Sequence, residues 1–295
     1  MPVSLHAPAF IRRAFFISAW LVATVARGGP SPGPGQSPAP YLQLGQPDQA
    51  EGRRVLAAFR AAGIPGQYYL EFALRVMPRR GEERVLPGRL WGSRNEQGAV
   101  TRVTVASAAT GERRLLIQNG EDAGVWCTDA AKGATTTRRV DAFEPLVPGV
   151  ELTAFELQMP YLYWPDATLE RVSRVRSRPA HVFFFVPPAA WAAQHRDIGG
   201  VRVSLDTQFN VPVQTELIAP NGRVLRTLSL VDLKKVGEQY LPKTIDLRND
   251  VTRDKTRFQV TGAALDLVLP AAVFAPDQLT EAVAVPAPGR LVRFD

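Results

Sequence analysis

From Tyr68 onward the chain alternates: Tyr68, Leu70, Phe72, Leu74 and Val76 interleave with Tyr69, Glu71, Ala73, Arg75 and Met77. Consecutive strand residues point to opposite faces, so a period of two with one apolar set describes a strand that buries one side. The pattern returns along the chain. Val103 and Val105, Leu115 and Ile117, and Val125 and Cys127 fall on alternate positions, separated by the turns "ATGE" and "NGED". Later come Val201, Val203 and Leu205; Val213 and Leu217; Leu228 and Leu230; Leu241, Ile245 and Leu247; Phe258 and Val260; and Leu265, Leu267 and Leu269. The "PNG" at Pro220 to Gly222 is a hairpin signal between two of these runs. Short turns join antiparallel neighbours, so the expectation is one large antiparallel sheet covered on a single face.

"LKKVGEQYLPKTIDL", residues 233 to 247, places Pro242 inside one such run. Proline cannot donate to a ladder and is confined to edges, strand starts and bulges. Ahead of the sheet, Asp48 and Glu51 form a capping-box-like pair, and Val55, Leu56, Phe59 and Ala62 share one helical face before Gly63 and Pro65. A helix over 48–62, packed by Val55 and Phe59 on the apolar side of the sheet, follows. Two segments break the alternation. "LTAFELQMPYLYWPD" has Thr153 and Glu156 in capping-box spacing, and "PPAAWAAQHRDIGG" starts with Pro188, which a first helical turn accepts. Both read equally as short covering helices or as ordered connectors.

The chain opens with Arg12-Arg13 followed by the apolar run Ala14 to Ala26, which ends in small residues. This is the pattern of a secretory signal peptide, residues 1–26, and the run is shorter than the roughly 20 residues that span a bilayer. "RGGPSPGPGQSPAP", residues 27–40, is a linker whose composition buries too little to order itself. Residues 41–280 are left for one folded domain and 281–295 for a tail. Cys127 is the only cysteine, so no intrachain disulfide forms despite the oxidising compartment that export implies. The formal charge of +7 comes from scattered arginines with no nucleic-acid-binding motif, so anionic lipid headgroups are the better match.

No catalytic or metal constellation stands out. His181 and His195 lack partners at ligand spacing, and a Cys127–His181 nucleophile pair has only its residue types in its favour. No cofactor motif is present, and the expectation is a protein that is not an enzyme.

The C-terminal half resembles the LolA-like outer-membrane lipoprotein-sorting proteins. "VPVQTELIAPNGRVLRTLSLVDLKKVGEQYLPKTIDLRN" is similar to that family's stretch with a turn at Asn-Gly followed by a glycine, an aromatic residue and a proline. "DKTRFQVTGAALDLVLPAAVFAPDQL" resembles its ending. The resemblance covers roughly residues 68–280, while residues 130–200 depart from it. It implies a strongly curved antiparallel sheet, a half-open and incomplete β-barrel, with helices over its opening and an apolar interior that receives acyl chains. Phe72, Leu74, Leu205, Leu217, Leu228, Leu230, Ile245 and Phe258 lie on the apolar side of their strands and become the candidate lining. The expected protein is then a monomeric periplasmic carrier of lipoprotein acyl chains or other lipids, with inner- and outer-membrane sorting partners. A sensor of the same fold that reports mislocalised lipids, and a secreted lipid hydrolase, are the alternatives.

Overall fold

The alternation from Tyr68 becomes β1 (Gln67–Met77), in which Leu70, Phe72, Leu74 and Val76 are all buried. Next come β2 (Arg84–Arg94), β3 (Ala99–Ser107), β4 (Gly111–Gln118), β5 (Gly124–Asp129) and β6 (Arg138–Val140). A second run holds β7 (Asp166–Val175), β8 (Arg178–Val186), β9 (Gly200–Asp206), β10 (Pro212–Ile218), β11 (Val224–Val236), β12 (Gln239–Asn249), β13 (Lys255–Leu267) and β14 (Val292–Arg293). The computed structural model describes residues 46–61, 63–107, 111–120, 123–129 and 136–294. The expected signal peptide, 1–26, and linker, 27–40, lie outside the described residues.

Among the described residues the strands form one 14-stranded antiparallel sheet in the order β6-β5-β4-β3-β2-β1-β13-β12-β11-β10-β9-β8-β7, with β14 added beside β13. β6 and β7 end the order without pairing, so the sheet curves but is not closed into a barrel. β1 pairs with β13 from Gln67↔Leu267 to Met77↔Lys255, which joins the two runs into a single ladder.

The first helix, α1 (Gln49–Ala61), starts where an Asp48 carboxylate oxygen accepts from the Ala50 N–H at 2.8 Å. Glu51 does not complete a capping box; it pairs with Arg54 at 2.7 Å. Leu56 is buried, and Val55 and Phe59 pack beside it on the second-run core, as the helical face requires. Gly52 lets the helix come close: a Cβ there would lie 2.9 Å from Leu169 Cβ.

The expected single-sided cover is corrected. The inward face carries two clusters, one around Phe72, Leu74, Leu115, Leu241 and Phe258 and one around Phe183, Phe185, Val203 and Leu205. The outward face of the first run is covered as well, by the chain after Pro270. Val273, Phe274, Val283 and Leu291 pack on Tyr69 and Trp91, and Leu279 packs with Val100 and Leu116. The packed region therefore runs past residue 280. Arg102, itself 2% exposed, donates through its guanidinium to the carbonyls of Val273, Gln278, Leu279 and Glu281 and holds this segment down.

Pro242 sits where an edge begins. β12 pairs with β13 from Arg248↔Lys255 up to Thr244↔Gln259, and β10 pairs with β11 only up to Gln214↔Ser229. Beyond these points β11 and β12 continue alone as a two-stranded ribbon, with register shifts on both sides of Asp232 and Pro242 opposite Leu233. On the side where β13 would lie, no strand pairs with Pro242, so no N–H is asked for there. Val236 and Leu241 turn back from the ribbon into the first-run core.

Candidate functional site

Alternation sets which side chains face inward. Val203, Thr215, Leu228 and Leu247 are cross-strand partners in one row, and Leu230, Ile245, Phe258 and Leu74 form the next. The structure thus brings the sequence-derived residues Phe72, Leu74, Leu228, Leu230, Ile245 and Phe258 together, with Phe72 and Phe258 stacked at 4.5 Å. Leu205 and Leu217 belong to the second cluster. Phe72, Leu74, Leu205, Leu217 and Phe258 are buried in packed core, while Leu228, Leu230 and Ile245 remain partly exposed.

The inward face is filled by a segment that the sequence left undecided. Thr153 caps α2 (Ala154–Gln158) with both halves of a capping box, and a 3-10 turn follows at Pro160–Tyr163. A third helix, α3 (Ala189–Gln194), begins just after Pro188. Phe155 stacks on Phe143 at 4.3 Å, and Trp191 meets Trp164 at 4.9 Å and His195 at 4.1 Å. Together these rings cover the inward face of the second run. Burial pushes the Tyr161 hydroxyl above its ordinary range, so it stays neutral in this apolar setting.

Between cover and sheet a void of about 20 Å³ remains, bounded by Phe155, Tyr161, Leu217, Leu228 and Leu247. It is barely enough for one water. Arg226 stands at its edge, paired with Glu156 at 3.2 Å, and the same carboxylate accepts from the Thr153 N–H at 2.9 Å. Leu230, the next inward position on β11, has different surroundings. It and Val213 form the floor of an open groove of about 560 Å³, walled by Phe209, Leu233 and Tyr240 and rimmed by Arg176 and Arg178. The inward face therefore surfaces at the ribbon end of the sheet. Arg176 and Ser177 both take positive φ, 50° and 67°, in the two-residue turn that shapes the rim. Such backbone costs about 1 kcal/mol or more per non-glycine residue.

An ion pair between a buried guanidinium and a half-exposed carboxylate closes the first-run core. Arg113 contacts Glu144 at 2.8 Å and the Pro145 carbonyl at 2.9 Å, with Cys127 Sγ at 3.7 Å from its guanidinium. The hydrogen bond from Arg113 holds the Glu144 carboxyl below its usual range, against the opposing effect of burial. A depressed carboxylate stabilises the fold above its unfolded pKa, and that contribution is lost as pH falls through the folded value. Glu144→Gln is expected to lower stability by about 1 to 2 kcal/mol at neutral pH, because the carboxylate is partly solvated. The gap to wild type should narrow as pH falls through the carboxylate range in urea titrations; a gap independent of pH would refute the pair's role.

The candidates for covalent chemistry are separated. Cys127 is buried in β5 and His181 lies in β8, near opposite ends of the strand order. Burial lowers the His181 pKa, so it stays neutral, and its Nδ1 has no hydrogen-bond partner among the described residues. His195 has Asp141 at 3.5 Å on its own side of the sheet. Among the described residues no group of His, Cys, Asp and Glu gathers to hold a metal ion.

A family model described as an uncharacterized protein matches residues 196–281, which span β9 to β13 and the start of the outer cover. No curated protein matches the sequence. Three solved structures align over most of their length. A DUF1329 family protein from Desulfovibrio piger is 12% identical, with a TM-score of 0.66 over 78% of this chain and 98% of that one. A protein described as a putative outer membrane lipoprotein-sorting protein domain from Vibrio parahaemolyticus is 14% identical, with a TM-score of 0.64 over 77% and 97%. A LolA superfamily protein from Nitrosomonas europaea is 13% identical, with a TM-score of 0.59 over 76% and 96%. Identities this low speak to architecture alone, and by its unclosed antiparallel sheet and inward covering helices this chain has the fold of the LolA superfamily.

Proposed function

We propose that the protein is a periplasmic carrier that shelters acyl chains of lipoproteins or other lipids on the inward face of its sheet. The observation that carries this reading is the continuity of that face with an open groove: Leu228 lies against the packed interior and Leu230 in the groove, one inward position apart. A groove of about 560 Å³ is of the size that takes small apolar ligands. Hiding an acyl chain is worth about 0.8 kcal/mol per methylene, so a long chain gains more from shelter than a few displaced contacts cost. The chain enters over Val213 and Leu230, and deeper seating displaces the aromatic cover from Leu217, Leu228 and Leu247. Phe72, Leu74, Leu205, Ile245 and Phe258 form the inner wall behind that path. The described likeness of a fold neighbour to lipoprotein sorting supports the same class of cargo. No covalent step is required.

The test is titration with a fluorescent long-chain fatty acid. Wild type should bind saturably at micromolar concentration. Leu230→Glu puts a charged carboxylate, which must keep its water or turn to Arg176 or Arg178 on the rim, on the apolar floor of the groove and should weaken binding at least tenfold with the circular dichroism spectrum unchanged. Val85→Glu, at an exposed position on β2, should bind as wild type does. Absence of saturable binding by wild type sinks the carrier reading, and full binding by Leu230→Glu removes the groove from it.

A further inference from the structure

We propose that the ribbon end of the sheet is a docking surface for an anionic lipid bilayer. Large apolar side chains are exposed together there: Tyr240 is 53% exposed, Val231 45% and Phe209 43%, with the two rings 6.0 Å apart. An exposed apolar group of this kind marks a contact site, and half-wet aromatic rings suit a boundary between water and an apolar phase.

Charge selects the partner. The three turns at this end and the strand ends that flank them carry Arg174, Arg176, Arg178, Lys234, Lys235 and Lys243 against Asp206, Asp232 and Glu238. Each acid is matched: Asp206 by Arg178 at 3.2 Å, Asp232 by Lys243 at 3.9 Å, and Glu238 by Lys235 at 3.4 Å. Arg174, Arg176 and Lys234 are left without a carboxylate partner among the described residues. The surplus cations come from two separate turns on either side of the exposed rings. A spread of this kind meets many headgroups at once, whereas a single bound anion needs donors that converge on one point. Arg178 also lies over the Phe209 ring, 5.8 Å from its centroid, so cation and aromatic ring are presented as one unit. The same end holds the mouth of the groove, so docking here presents that opening to the bilayer.

Cosedimentation with lipid vesicles tests this directly. The purified chain should pellet with vesicles of mixed phosphatidylglycerol and phosphatidylcholine at low salt, and much less with phosphatidylcholine alone or at high salt. Each surface cation contributes about fivefold, so Arg174→Glu combined with Lys234→Glu should weaken binding at least about 20-fold. Tyr240→Ala should weaken it severalfold at every salt concentration. Neither Arg174 nor Lys234 lines the groove, so the charge variant should bind the fluorescent fatty acid as wild type does. Equal binding to both vesicle types, or unchanged binding by the charge variant, overturns the proposal. So does capture by an acidic protein with no vesicle binding. Loss of fatty-acid binding by wild type with vesicle binding intact counts against the carrier reading and leaves the docking surface standing.

Discussion

Arg102→Met is expected to lower stability by about 3 to 5 kcal/mol and the melting temperature by about 10 °C. The guanidinium is nearly inaccessible, and burial together with the nearby Arg114 lowers its pKa to about 10. Keeping a charge there is itself costly, and replacing a whole buried ionic group by apolar residues is often neutral. This case differs because the partners are backbone carbonyls, which no side-chain substitution removes. Arg102 donates to four carbonyls in and after the 3-10 turns at Ala271–Phe274 and Pro276–Gln278; the bonds to Val273 and Leu279 are the buried ones, while the Gln278 carbonyl also accepts from the Glu281 N–H at 3.1 Å. A buried acceptor left without a donor costs about 1 to 3 kcal/mol. The variant escapes this only by letting the segment peel away, which exposes Trp91, Val100, Leu116 and Leu279 to water. Urea titration reads the first outcome, and limited proteolysis between residues 270 and 290 reads the second. Arg102→Lys should rescue little, because one ammonium cannot span four acceptors. A change below about 1 kcal/mol with no new cleavage would show that the segment is held by its apolar contacts alone.

How much of this was legible follows from which interactions are local. Period-two alternation reports local burial, so the strands and their inward residues were readable, as was the Thr153 and Glu156 capping box. The outer cover was not inferred, although a signal was there. Leu115-Leu116-Ile117 is apolar at consecutive positions, as is Val125-Trp126-Cys127, and strands buried on both faces read this way. Period-two alternation picks out the inward members alone. What could not be read is the partner for the outward ones, because Leu116 meets Leu279 across more than half the domain. Arg102 interrupts an apolar strand at an outward position, and its acceptors are carbonyls, which carry no sequence signature. The candidate lining residues fall on one face of the sheet, since alternation fixes face. It did not say whether the space in front of that face was empty. That depended on Phe143, Phe155, Tyr161 and Trp191, which sit in the region where the family likeness was weakest. The unpaired ribbon was foreshadowed by Gly237 and Pro242, while the groove beneath it needs three turns brought together by the sheet.

Phe258→Ala separates a filled core from a binding face. Phe258 is 6% exposed, stacks on Phe72 and is paired across the sheet with Ile245 and Leu74. Truncation should cost about 3 to 5 kcal/mol, because the surrounding strands cannot collapse into the cavity. A core mutation of comparable depth on the outward face, Leu116→Ala, should cost about 2 to 5 kcal/mol by the same mechanism. The two should part when a long-chain fatty acid is added. An apolar cavity stays dry and accepts apolar ligands, and the Phe258 cavity opens on the proposed acyl path. A ligand present at 100 times its dissociation constant stabilises the folded state by about 2.7 kcal/mol. Phe258→Ala should therefore recover most of its loss in denaturation monitored with ligand, and more than wild type gains. Leu116→Ala, whose cavity lies behind the sheet, should gain no more than wild type. Equal recovery by both variants would mean that the ligand binds any loosened core. No recovery by Phe258→Ala would mean that acyl chains stop at Leu230 and that the inner wall is structural core alone.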